Sequence, residues 1–223
     1  MRTLFINHFN KLIYLYVLIG FGWTHAGSYE DFFKAVQADD ARTIQQLLAR
    51  GFDANTLSPQ GQHGLLIAIR EPSLKVAQTL INAPKIDLNL LNTNGESPLM
   101  LAALKGELDL AEKMVKKGAD VNKTGWTPLH YAASNGHVAV IKLLLENYAY
   151  IDAESPNGTT PLMMASLYGS PEAVKLLIDE GADPLLKNEQ GLTALAFAQR
   201  GKRPDAIELL SKTVRLKQST GKW

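Results

Sequence analysis

The sequence predicts an all-α protein, a solenoid of six helix-turn-helix units, on three observations. A large apolar residue followed three positions later by alanine recurs at Phe32/Ala35, Leu65/Ala68, Leu99/Ala102, Leu129/Ala132, Leu162/Ala165 and Leu195/Ala198, with alanine spacings of 33, 34, 30, 33 and 33. Self-similarity at this period marks units that cannot bury their own apolar face and must stack on neighbours. Glycines recur at Gly51, Gly118 and Gly181, where a left-handed residue closes a helix. Between them, pairs such as Val140/Ile141 and Leu144/Leu145 lie four apart and form one apolar helical stripe.

In chain order, residues 1–26 come first and do not fit the repeat. Arg2 and Lys11 accompany no acidic residue, residues 12–23 form a short apolar stretch, and Thr24, His25 and Ala26 approximate a small-residue cleavage site. This is the pattern of a secretory signal peptide, with an apolar core short for a transmembrane span. We expect cleavage near Ala26 and a periplasmic or secreted protein; left uncleaved, the segment is a membrane anchor. The chain has no cysteine, which excludes both lipid attachment through a cysteine and a disulfide scaffold. Loss of Arg2 and Lys11 turns the formal net charge of +1 into −1, so no general electrostatic attraction to nucleic acid remains.

Six units then follow at about 28–60, 61–94, 95–123, 124–157, 158–190 and 191–213, ahead of a basic tail at 214–223. In the first, Glu30, Asp31, Lys34, Gln37 and Asp40 interrupt the apolar positions, as the polar outer face of an end unit requires. The second carries His63 and Gly64 where other units have Thr-Pro or Ser-Pro, Pro72 at the turn, and an extra residue near Pro84. Glycine near a helix start weakens that helix by about 0.5–1 kcal/mol relative to alanine, so this unit is expected to be the loosest. In the fourth, Thr127 is a natural N-cap, Pro128 suits the first helical turn, and Asn135 and Gly136 supply the φ > 0 turn between helices. In the last, Ser211 replaces Leu145 and Ile178, and Lys212, Arg215, Lys217 and Lys222 follow without an acid, as in a solvated, frayed helix end.

The fourth unit, GWTPLHYAASNGHVAVIKLLLENYAYID, resembles the ankyrin repeat. The TPLHxA signature stands intact as Thr127, Pro128, Leu129, His130 and Ala132. Ser97-Pro98-Leu99-Met100, Thr160-Pro161-Leu162-Met163 and Thr193-Ala194-Leu195-Ala196 carry it with departures, and His63-Gly64-Leu65-Leu66 is the poorest version. The resemblance covers about Tyr29 to Ser211. It implies an array with short β-hairpin-like fingers that binds another protein through the finger tips and the inner face of the first helices. Carried over position by position, it points to Asn92, Asn94, Glu96 and Lys105; to Trp126, Ser134 and Asn135; to Glu154, Asn157, Thr159 and Tyr168; and to Lys187, Glu189 and Gln190.

No enzyme constellation is present. After cleavage only His63, His130 and His137 remain; no second metal ligand sits at a recognised spacing from them, and no GxSxG or phosphate-cradling glycine loop occurs. We therefore expect no catalytic residue, metal or cofactor.

Two irregularities single out the fourth unit. Two residues separate Asn122 from Gly125, whereas five separate Asp152 from Gly158; this finger is three shorter and leaves a notch beside Trp126. Tyr148 then stands where other units have Gly51, Gly118 and Gly181, and Tyr150 where they have Asp53, Asp120 and Asp183. Either Tyr148 adopts φ > 0 at a cost of about 1–2 kcal/mol, or Asn147 takes the left-handed cap one residue early without strain. In both cases Trp126, Tyr148, Tyr150 and Tyr168 are the expected hot spot, since aromatics with a polar tip anchor protein interfaces. Glu154, Asn157, Ser134, Asn135 and Lys105 are the expected surrounding contacts.

A leader joined directly to a compact array resembles the small exported ankyrin proteins of bacteria, some of which are thought to support oxidative-stress defence. The expected function is thus a monomeric, exported, non-enzymatic protein-binding module. The alternative is a periplasmic inhibitor or immunity protein that occludes a toxic enzyme with the aromatic notch as its plug.

Overall fold

The computed structural model of the protein describes residues 27–220; the expected leader at 1–26 and the final residues 221–223 lie outside them. Among the described residues there are twelve helices and no strand, with one isolated bridge between Leu57 and His63. The chain divides into two compact bodies, one ending at Ile86 and the other beginning at Asp87.

The first body holds α1 (27–37), α2 (Ala41–Ala49), α3 (Gly64–Arg70) and α4 (Leu74–Ile81). Asp40 caps α2, accepting the Thr43 N–H at 3.1 Å and the Thr43 hydroxyl at 2.6 Å. Apolar residues spaced by three and four on each helix meet in one core, in which Phe32, Ile44, Leu65, Ile69, Leu80 and Ile81 are buried. Gly64 has a steric purpose there. A Cβ at this position would lie 2.7 Å from Cε1 of Phe32, whose ring is fully buried and stacked on Phe52 at 4.8 Å. The weakened helix start expected from the sequence is therefore the condition for seating Phe32, and Leu65 and Ala68 beside it are fully buried.

The second body alternates first helices, α5 (Pro98–Lys105), α7 (Pro128–Ser134), α9 (Pro161–Tyr168) and α11 (Ala194–Arg200), with second helices, α6 (Leu108–Lys116), α8 (Val138–Glu146), α10 (Pro171–Asp179) and α12 (Pro204–Thr220). First helices pack on first helices and second helices on second. The ladder residues Leu99, Ala102, Leu129, Ala132, Leu162 and Ala165 fill the layer between them and are buried. Alanine is required there because a larger side chain would hold the helices apart and overpack by about 1–3 kcal/mol. At the turn after α7, Gly136 has φ 69 and approaches Ser170 so closely that a Cβ would meet its backbone N at 2.8 Å. Asn135 stays at φ −102, so Gly136 alone takes the left-handed geometry.

Fingers are closed by a few local backbone bonds rather than strands. The N–H of Ser58, Asn92, Ser155 and Asn188 donates to the carbonyl four residues on, at 2.8 to 3.1 Å. At its other end, α12 continues to Thr220, past the expected unit boundary at 213. Leu210 anchors it in the core. Lys217, in its last turn, reaches back to Asp183 at 3.4 Å, and basic residues at a helix C-terminus are favoured by the helix dipole.

Candidate functional site

The cap of α8 settles the two alternatives for Tyr148. Tyr148 has φ 64, while Asn147 stays at φ −104, so the strain-free cap on Asn147 does not form. The reason is the hydrogen-bond register. The Ala149 N–H donates to Leu144 O at 2.9 Å and the Tyr148 N–H to Leu145 O at 3.0 Å, the pairing that Ala119 and Gly118 make after α6 and Ala182 and Gly181 after α10. A cap one residue earlier would break the six-to-one bond that closes the helix. Holding tyrosine in this conformation costs about 1–2 kcal/mol.

Tyr150 gives up a second local interaction. Asp53, Asp87 and Asp183 in the corresponding loops each accept the N–H two residues on, at 2.9 to 3.1 Å. A phenol cannot replace that carboxylate, and a hydrogen bond of this kind contributes about 0.5–1.5 kcal/mol. Neither cost is returned by packing: Tyr148 is 87% exposed and Tyr150 70%.

The loop is nonetheless held firmly. Asn122 donates from Nδ2 to Tyr148 O at 2.8 Å and accepts the Tyr150 N–H on Oδ1 at 2.8 Å. On the far side, Asp152 accepts the Asp183 N–H at 3.1 Å. Asn122 did not emerge as a candidate from the sequence, although the signal was present. Asn55 and Asn89 stand one unit apart before it, and each likewise binds the loop of the next unit.

Trp126, which borders the short finger, is half-buried and packs edge-on against His130 at 5.2 Å. His130 in turn locks the unit. The Thr127 N–H donates to its Nδ1 at 3.2 Å, and its Nε2 lies 2.9 Å from Thr159 O in the next unit. Since Nδ1 receives an N–H, Nε2 carries the proton and donates. Burial pushes the His130 pKa down to about 4, so the ring is neutral near pH 7. Met100 and Met163 occupy the same place in their units, where sulfur accepts the Ser97 and Thr160 N–H at 3.4 Å.

The remaining predicted residues separate into distinct places. Tyr168, 61% exposed, ends α9, and with Asn135, Ser170, Lys202, Arg203 and Asp205 it lines a cleft of about 460 Å³. Trp126 precedes the opposite end of its first helix, about 10 Å away along the seven residues of α7 at helical rise. Asn135 donates to Leu104 O at 2.7 Å and Ser134 to Tyr131 O at 2.9 Å, so both brace the turn. Asn157 accepts the Ser155 hydroxyl at 2.6 Å within its finger. Glu154 and Lys105 are exposed, as are Asn94, Lys187, Glu189 and Gln190, whereas Asn92 and Thr159 are buried. Tyr131, also missed, donates to Glu96 Oε1 at 3.1 Å, and burial together with Glu96 raises its pKa to about 12. Among the described residues no helix is long and apolar enough to cross a membrane, and no group of three or more His, Asp or Glu could hold a metal ion.

Comparison with known proteins assigns the repeat. A family model described as ankyrin repeats in three copies matches residues 32–124 and 65–155, and one described as ankyrin repeats in many copies matches 149–198. The chain belongs to the ankyrin-repeat family. Ankyrin repeats are in general protein-interaction units. Protein phosphatase 1 regulatory subunit 27 of Mus musculus is 36% identical over 93 residues, 40% of this chain and 60% of that one, so the chain spans less than two thirds of this curated relative. Two solved ankyrin-like chains match over nearly their whole length. One belongs to the complex of the predatory endopeptidase Bd0816 from Bdellovibrio bacteriovorus with the immunity protein Bd3460, at TM-score 0.70 and 30% identity, covering 82% of this chain and 97% of that chain. The other is the ankyrin repeat protein EF0377, at TM-score 0.73 and 28% identity, covering 81% and 96%.

Proposed function

We propose that this protein is an exported, non-enzymatic ankyrin module that binds one protein partner through the 148–150 loop, with the finger at Glu154 as a flanking contact. One observation carries this reading: two exposed tyrosines of the fourth unit occupy positions where other units have glycine and aspartate. Residues that weaken the fold without packing against it mark binding sites, because the interface then returns what the fold gives up. Export rests on the pattern of residues 1–26, and a purified protein whose N-terminal sequence begins at Gly27 would support it. A supporting role in stress defence follows only from the resemblance to small exported ankyrin proteins.

A second reading is favoured by a specific likeness. The match over 97% of a chain in an endopeptidase and immunity-protein complex supports an inhibitor that covers an enzyme in the same compartment. The test is capture from a periplasmic extract with the mature chain, followed by assay of the captured protein with and without one equivalent of the chain. A single stoichiometric partner supports binding. Loss of that partner's activity supports the inhibitor, retained activity supports a scaffold, and absence of any partner overturns both.

A further inference from the structure

We propose that the 148–150 loop receives a lysine- or arginine-bearing segment of the protein partner, whose cations stack on the rings of Tyr148 and Tyr150. This deepens the protein-binding reading and rests on it. Tyrosine faces attract cations through the ring quadrupole, and both rings project into solvent from a backbone held by Asn122. A fixed loop loses little freedom when it binds.

Charge selects the kind of partner. From Lys142 to Gln190 the sequence holds three lysines against eight carboxylates, although the whole chain has a formal charge of +1. Of those lysines, Lys175 pairs with Asp179 within its own helix. Glu146 at the end of α8, Glu154 in the following finger and Glu180 at the neighbouring cap are all exposed. On the other flank, Lys116 and Lys117 are exposed at the end of α6, with Lys116 directed to Glu112 at 3.9 Å. Glu112 and the exposed Asp120 lie beside those lysines, and the carboxylates that meet a basic segment are those of the fourth and fifth units. An acidic segment would face like charges there, which cost affinity.

The substitution Tyr148→Gly with Tyr150→Asp restores the residue types of the other units and adds one negative charge, so charge alone and ring stacking predict opposite outcomes. The probes are soluble peptides of repeated Gly-Arg-Gly and of repeated Gly-Glu-Gly, titrated into the isotope-labelled full chain while the amide resonances of residues 148–150 are followed. The arginine peptide should shift these resonances and the glutamate peptide should not. The double variant, its folding verified by a retained cooperative melt, should bind the arginine peptide about tenfold more weakly. Equal or tighter binding by the variant, no shift at 148–150, or equal binding of the glutamate peptide would each overturn the assignment. If the captured protein partner is still held, the protein-binding reading survives that failure; an array that holds no protein loses both.

Discussion

Acid should weaken this array through His130, and His130→Met should remove the weakness. In the fold the imidazole is neutral: Nδ1 accepts the Thr127 N–H, Nε2–H donates to Thr159 O, and burial holds the pKa at about 4. In the unfolded chain the same ring titrates near its ordinary value of about 6.5. A second proton would have to enter on Nδ1 and displace the Thr127 bond. Between about pH 6.5 and about pH 4 the unfolded chain therefore binds a proton that the fold does not, and stability rises with pH across this window. Its contribution is complete above about pH 6.5 and is lost as pH falls towards 4. The difference of about 2.5 pKa units corresponds to about 3 kcal/mol. Methionine is the natural replacement, since Met100 and Met163 accept the same N-cap N–H. Near pH 7 the variant should lose about 0.5–1.5 kcal/mol for the missing bond to Thr159 O, whose oxygen still accepts the Ser155 N–H. Urea unfolding of both proteins across this pH range is the assay. The two stabilities should converge on acidification and cross, with the difference isolating His130 from Asp152, which burial shifts the opposite way. Parallel curves would refute the reasoning.

Three further substitutions test the fold. Gly64→Ala should destabilise by about 1–3 kcal/mol through overpacking against Phe32, although helix propensity favours alanine; a raised melting temperature would contradict the steric account. Tyr148→Gly alone should stabilise by about 1 kcal/mol by relieving the left-handed strain, read as a higher urea midpoint at unchanged slope. Leu129→Ala, at a fully buried ladder position, should cost about 2–5 kcal/mol in the same assay.

The fold was legible because burial of the ladder repeats: the Leu/Ala column and the glycine caps each recur at a spacing that chance does not supply. Gly51, Gly118 and Gly181 all take φ > 0, as the sequence implied. The purpose of Gly64 was not legible, because the ring that needs its space belongs to Phe32, one unit away, and only tertiary packing brings the two together. The strain at Tyr148 was visible as an alternative, but its outcome depended on which carbonyl Ala149 reaches, a matter of register rather than composition. The four predicted aromatics divided for the same reason. Tyr168 and Trp126 attach to opposite ends of first helices, and linear spacing does not state which end of a unit faces which. Asn135 looked like a free polar tip and proved to be a brace on Leu104 O.

On the function proposed above, Tyr148 and Tyr150 are kept against the interest of the fold because a protein partner needs them. Isothermal titration of the captured partner with the full chain and with the Tyr148→Gly, Tyr150→Asp variant tests this most directly. The variant should be the more stable protein and the weaker binder, with affinity reduced about tenfold or more, as loss of an interface anchor implies. A variant that is more stable and binds equally well would show that the two tyrosines serve no partner.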